Sequence, residues 1–220
     1  MSNTSLELGV PAPKPPLTPG ATALVLIDMI LGDTDPNVGL GTVVPSEHFF
    51  GRIASHVIPN SERLLETFRT LDLPVIHVRV VSQPNDARDW PKTYRPYLLE
   101  RRLLPSRPGV RGYEWVQSLA PRNDEIIVEK RSISAFNSTG IETILNRLRV
   151  EDVVFAGVAT NYGVGHSAID AADRGFGVVV AEDATAAYSL ETHEAWLRMN
   201  GSYYFRPLST DEVIAEISAS

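Results

Sequence analysis

The chain contains no cysteine among its 220 residues. Disulfides, thiolate metal ligands and a thiol nucleophile are therefore excluded. Long apolar runs are missing too. Nothing approaches the ~20 residues that a helix needs to cross a bilayer, so no membrane partner is expected. Positive charge is in the minority: 20 Lys and Arg stand against 27 Asp and Glu, a formal net charge of −7. An acidic surface repels phosphate backbones, so nucleic acid is not an expected partner. The opening Met1-Ser2-Asn3-Thr4-Ser5 has neither the basic nor the apolar stretch of a secretory signal. The expected location is cytoplasmic.

What is present reads as a globular α/β chain. Hydrophobic residues make up 43% of it, enough for a core that needs no staple. Residues 9–19 read GVPAPKPPLTP. So many prolines remove amide donors and fix φ, which makes 1–21 an extended arm ahead of one domain over 22–220. Segment 22–28 (TALVLID) is a continuous apolar run ending in a carboxylate, the pattern of a strand buried on both faces. Segments 74–80, 125–130, 152–158 and 177–183 read as further strands, and 202–205 (SYYF) as a sixth at an edge.

Helical spacing fills the gaps at 53–70, 138–148, 161–174, 190–200 and 210–217. Pro59 is expected to break the first of these, so that its regular part starts there. Gly175 and Gly201 close the third and fourth, and Ser209 or Thr210 caps the last. Strands alternating with helices imply parallel pairing and right-handed crossovers. The expected fold class is α/β: a doubly wound, six-stranded, mostly parallel sheet with helices on both faces. Ligands of such sheets sit beyond the carboxyl ends of the strands, near the switch point.

That rule directs attention to three places. Asp28 ends the first strand, where partial burial raises a carboxyl pKa and suits proton transfer; capping the next turn is its simpler role. Lys130 ends the third strand, where it either holds Asp28 ionised, stabilises an oxyanion, or is merely solvated. Segment 157–164 (GVATNYGV) takes a strand into a helix, and free amides at a helix start favour negative charge.

Together these segments resemble the isochorismatase-like hydrolase superfamily. The resemblance rests on Leu26-Ile27-Asp28-Met29, on Lys130 followed by Ser134-Ala135-Phe136, and on Gly157-Val158-Ala159-Thr160-Asn161. It extends through 168–176 and 181–184 and covers the chain from Thr22 to about Phe205. It implies catalytic roles for Asp28 and Lys130, a cis peptide at Val158–Ala159, and an oxyanion turn made of Val158, Ala159, Tyr162 and Gly163. It also places Gly163 where most members carry the nucleophilic cysteine. Ser167, one turn on, reads as a packing hydroxyl. Isochorismatases proper share the glycine; they protonate a vinyl ether through the Asp and let water capture the cation. They usually carry His where Asn161 stands, and many relatives have Glu-Ser-Thr where this chain has Gly165-His166-Ser167.

Asn161, His166, Trp90 and Tyr94 are the candidate substrate-pocket residues. The last two belong to a polar and aromatic stretch, 88–115, which also holds Tyr97 and Tyr113. Seven basic and two acidic residues lie between Arg88 and Arg111, arranged either to steer an anion or to face solvent or another subunit. Nicotinamidase-like relatives bind a metal through an Asp and two His, but 32–37 (GDTDPN) has no His. Asp33 and Asp35 read as turn carboxylates. His193 and Trp196 read as helix packing. No metal and no cofactor are expected; the expected partners are a small-molecule substrate and, by resemblance, copies of the same chain in a dimer or tetramer. Three functions stay open. One is a hydrolase working by Asp/Lys acid–base chemistry without a covalent intermediate. Another is an amidase or ureidase whose cysteine an engineered exchange has turned into Gly163. The third is a non-catalytic small-molecule binder on the same scaffold.

Overall fold

A computed structural model describes residues 14–44, 46–84, 86–96 and 107–219. Most of the proline-rich arm and Tyr97 lie outside them. Six strands form one sheet: β1 Thr22–Ile27, β2 Val75–Val80, β3 Ile126–Lys130, β4 Asp152–Val158, β5 Gly177–Ala186 and β6 Arg206–Leu208. Their spatial order is β3-β2-β1-β4-β5-β6 and every pairing is parallel. The chain runs outward from β1 to β3, returns to β4 beside β1, then runs outward again. The switch point lies between the carboxyl ends of β1 and β4.

The helices named here are α1 Leu31–Thr34, α2 Glu47–Arg52, α3 Ile58–Thr70, α4 Ile141–Arg147, α5 Gly165–Asp173, α6 Leu190–Gly201 and α7 Thr210–Ile217. They cover both faces of the sheet because successive strand residues point to opposite sides. Leu24 and Leu26 of β1 join Val154, Ala156 and Val179 against Leu64, Leu65 and Phe68 of α3 and Val213 of α7. Ala23, Val25 and Ile27 join Phe155 and Val180 against Ile141 and Leu145 of α4 and Ala168 of α5. Each large apolar side chain so enclosed contributes about 1.5–3 kcal/mol.

One local expectation is corrected. The sixth strand is Arg206–Leu208, not 202–205. Tyr203 and Tyr204 instead wrap the end of α6 by donating their amides to the Asn200 carbonyl, and Tyr203 is 76% exposed. Pro207 is tolerated because β6 is an edge strand that needs no donor on its outer side. The regular helix around Pro59 does start there: α3 begins at Ile58, with the proline in its first turn. A helix already precedes it, beginning at Glu47, where the Ser46 hydroxyl accepts the Phe49 amide, and passing through a π turn at Ile53–Val57 into α3. The wider turn absorbs the misfit of a ring that has no amide to give.

The described part of the arm is docked. Leu17 is buried, and the Lys14 ammonium donates to the Gly201 and Phe205 carbonyls at 3.2 and 2.7 Å. Among the described residues no helix is long and apolar enough to cross a membrane.

Candidate active site

Asp28 is placed by a sharp corner at the end of β1. Its backbone is left-handed, φ 54°, a conformation that a short carboxylate side chain tolerates better than most. The corner is held from outside by the 114–116 segment: Leu31 donates to the Glu114 carbonyl and Val116 to that of Met29. Beside the corner, β4 reaches the site through Gly157, φ 110°. A Cβ there would stand 2.1 Å from the Ile27 carbonyl oxygen, so only glycine lets the two strand ends approach.

Lys130 comes from β3, two strands away, about 10 Å at ordinary strand spacing. Its long stem crosses the end of β2, and Nζ sits 2.8 Å from Asp28 Oδ2 and 3.2 Å from the Ser132 carbonyl. Both partners are buried, Asp28 at 7% exposure and Lys130 at 2%. Burial pushes the Asp28 carboxyl above the usual range, against the pull of the Lys130 ammonium. Asp28 Oδ1 is also buried and has no hydrogen-bond partner among the described residues.

Gly163 closes the triangle. The Val158–Ala159 peptide is cis, and a π turn at Thr160–Val164 leads into α5. An ideal Cβ built on Gly163 would lie 3.0 Å from Asp28 Oδ2, 2.9 Å from the Val158 carbonyl oxygen and 2.9 Å from Ile27 Cγ2. The carboxylate thus borders the place where a nucleophile's side chain would begin. The Tyr162 and Val164 amides both donate to the Ala159 carbonyl, at 3.0 and 3.2 Å. That engagement takes the Tyr162 amide out of the set of oxyanion donors.

The other expected residues fall in different places. Asn161 is half-buried beside the turn, and its Oδ1 is buried without a partner among the described residues. His166 is exposed, and its Nδ1 bonds the Tyr162 carbonyl. Trp90 is 5% exposed; its indole N–H is spent on the Val81 carbonyl, and Tyr94 rests edge-on against it. Ser167 donates to the Gly163 carbonyl at 2.6 Å and accepts the Ala135 amide at 2.9 Å, which ties the 134–136 segment to α5.

Two residues assigned lesser roles from sequence reach this region. Asp35 is a turn carboxylate and accepts the Asn37 amide at 2.8 Å, but Asp33 is not. It lies on α1, half-buried, within electrostatic reach of Asp28 and Lys130. Burial first, and then the Asp28 charge, push its carboxyl up to about 8, with Lys130 opposing. Two acids five residues apart across a strand end were the available signal. His193 of α6 bonds Thr160 Oγ1, in the turn itself, at 2.9 Å. No local pattern announces a contact between residues so distant in sequence. Trp196 packs helix to helix, as its spacing implies: a Cβ on Gly165 would meet its ring at 2.2 Å. Among the described residues no group of three or more His, Asp or Glu is arranged to hold a metal ion.

Known proteins resemble this chain in sequence and in fold. Residues 22–212 match the model of the isochorismatase domain. The uncharacterized isochorismatase family protein YecD of Escherichia coli O157:H7 is 32% identical over 177 residues, 78% of this chain and 83% of that one. Maleamate amidohydrolase of Pseudomonas putida KT2440 is 27% identical over 176 residues, 79% of this chain and 76% of that one. Among solved structures, a cysteine hydrolase from Pseudomonas syringae pv. phaseolicola 1448A superposes with a TM-score of 0.80 at 22% identity, over 93% of this chain and 97% of that one. With a domain model spanning most of its length and a relative above 30% identity of which it covers 83%, this chain belongs to the isochorismatase family of hydrolases.

Proposed function

We propose that this family member hydrolyses a small molecule by carboxyl acid–base chemistry, with no covalent enzyme intermediate. The observation that carries the reading is the contact of three groups from distant segments: Lys130 Nζ at 2.8 Å from Asp28 Oδ2, and that oxygen at 3.0 Å from where a Gly163 side chain would begin. The acid and its cation are in place, and a glycine stands where a nucleophile would have been.

Asp33 adds a second carboxyl. Two carboxyls and one ammonium, largely removed from water, admit one carboxylate charge at neutral pH, so the pair holds one proton. The protonated carboxyl gives that proton to the departing atom of the substrate. The ionised carboxylate removes a proton from the attacking water, whose oxygen forms the new bond. One proton leaves the pair and one returns, so a single water is consumed and the site is restored. Lys130 keeps the remaining charge from being prohibitive in a buried site. The Ala159 and Gly163 amides are the proposed donors to a developing oxyanion. Asp28 Oδ1 and Asn161 Oδ1, both buried acceptors, favour a substrate that brings hydrogen-bond donors, such as hydroxyl or amino groups.

The test is a metabolite screen by mass spectrometry on the wild-type protein, repeated with Asp28→Asn. General acid–base groups supply about 10²–10⁴-fold, so the variant's turnover should fall by at least 100-fold. Unchanged turnover removes the mechanism. Binding without turnover in the wild-type protein favours the non-catalytic reading instead. An amidase reading draws on relatives such as maleamate amidohydrolase; the close approach around Gly163 weighs against it.

A further inference from the structure

We propose that His193 is a positioning residue for the 158–164 turn, carrying its ring proton on Nδ1 and donating it to Thr160, with Arg52 locking that tautomer. The inference rests on the reading of this turn as the substrate-binding turn, although its test needs no substrate.

The donor and acceptor inventory fixes the assignment. A guanidinium has donors only. Arg52 Nη2 stands 3.1 Å from His193 Nε2, so Nε2 presents its lone pair and accepts. The ring proton is then on Nδ1, which lies 2.9 Å from Thr160 Oγ1 and donates to it. Arg52 cannot swing away, because its Nε and Nη2 also donate to the Thr185 and Glu182 carbonyls, each at 2.9 Å. A three-link chain therefore runs from the carboxyl end of β5, through Arg52 and His193, to the residue that follows the Val158–Ala159 peptide. Thr160 is fully buried and His193 is 4% exposed, so water does not readily substitute for either partner.

The charges around the ring keep this state in force. Burial first, then the Arg52 charge, press the imidazole down to about 4; the Glu182 backbone carbonyl, an acceptor for a protonated ring, opposes them, and His48 adds to them. Asp183 and Glu194 line the same groove beside Arg52 and His193. Above about pH 4 the ring is neutral and Nε2 stays available to Arg52. The hydroxyl of Thr160, having accepted from His193, is left with its own proton to give. Together with the Trp196–Gly165 contact, the link makes α6 the buttress that sets where the turn sits against Asp28.

Two amide side chains separate the positions of the ring nitrogens. The amide nitrogen of Asn falls near Nδ1, so His193→Asn keeps a donor for Thr160 and gives up Arg52. Gln reaches the place of Nε2, so His193→Gln keeps an acceptor for Arg52 and gives up Thr160. Nitrogen-15 NMR of the wild-type ring should show protonated Nδ1 and bare Nε2 between pH 6 and 8. Hydrogen exchange of the Tyr162 and Val164 amides, which bond Ala159 within the turn, should speed up in His193→Gln and in the isosteric Thr160→Val. The expected factor is roughly 2- to 12-fold, that of one net hydrogen bond. In His193→Asn it should stay near the wild-type value. A role in helix packing alone would move Asn and Gln variants together. A proton on Nε2, or unchanged exchange in both His193→Gln and Thr160→Val, overturns the assignment. Should the histidine variants not fold, Thr160→Val and the wild-type ring spectrum decide the matter alone.

Discussion

Adding one carbon at position 163 is the sharpest perturbation this site offers. The Cβ of Gly163→Ala would lie 2.9 Å from Ile27 Cγ2, 2.9 Å from the Val158 carbonyl oxygen and 3.0 Å from Asp28 Oδ2. None of the three is the loose end of a flexible side chain. Ile27 is fully buried, the Val158 oxygen belongs to the backbone, and Asp28 Oδ2 is the atom that Lys130 holds at 2.8 Å. Overpacking of this kind costs about 1–3 kcal/mol. Against it, a helical Gly-to-Ala exchange returns about 0.5–1 kcal/mol of backbone entropy. The net loss lies within about 0–2.5 kcal/mol, centred at about 1. At this chain length each kcal/mol moves Tm by about 2–4 °C, so the melting temperature should fall by about 2–4 °C at the centre of that range and by up to about 10 °C at its limit. Gly163→Cys should fall at least as far and should not hydrolyse small primary amides. The measurement is calorimetric melting of both variants beside an ammonia-release assay. An alanine variant as stable as the wild type would show that the glycine seat is not close-packed. A cysteine variant that is stable and active on amides would establish the amidase reading and refute the one preferred here.

The remaining predictions concern the charges. Lys130→Met leaves a buried carboxyl without its cation, and breaking one side of such a pair costs about 3–5 kcal/mol. The double variant Asp28→Asn, Lys130→Met should recover part of that loss in urea melts; additive losses would mean that the two groups do not interact. Asp33 makes a pH prediction with a definite sign. Its folded carboxyl, at about 8, lies above the ordinary 3.8, so the native state keeps a proton that the unfolded chain has released. Its contribution is fully present below about pH 4 and is lost as pH rises toward about 8. Asp33→Asn stays neutral throughout, so its Tm relative to wild type should climb across that window and level off above it. A difference independent of pH would place the Asp33 carboxyl in the ordinary range.

Much of the sheet was legible because strands buried on both faces read as unbroken apolar runs. TALVLI, DVVFAGV and GVVVA announce themselves without any help from context. Legibility failed where position in the sheet overrides residue preference. Tyr203 and Tyr204 favour a strand by type yet close a helix end, while Arg206-Pro207-Leu208 pairs at an edge despite its proline. Pro59 marked the start of the regular helix, but a one-dimensional pattern cannot show the π turn that joins it to α2. In the site, Asp28, Lys130 and the 157–164 turn could be located because each stands at a strand end that the topology must bring together, whereas Gly163 within that turn was singled out by the family resemblance. Asp33 left only the spacing of two acids as a signal, and His193 left none. The first reaches the pair only through the left-handed corner at Asp28, and the second meets Thr160 across an interval of 33 residues.

On the proposed reading, the charge count is what lets a glycine stand in this site without leaving it inert. In a thiol-dependent site the nucleophile is activated by giving up the thiol proton, and a single carboxylate beside a lysine receives it. Remove the sulfur and that proton vanishes with it, leaving Asp28 and Lys130 as a closed, neutral pair with nothing to transfer. Asp33 changes the balance. Burial and the Asp28 charge push its carboxyl upward, which favours a cluster that holds a proton. On the proposed reading this proton takes the place of the thiol's, and water takes the place of the sulfur. The idea binds two measurements together. If Asp33→Asn keeps full turnover while Asp28→Asn loses it, Asp28 alone handles the proton. If both are lost, the two carboxyls act as one unit, and the chemistry that remains after the cysteine is gone is a property of the pair.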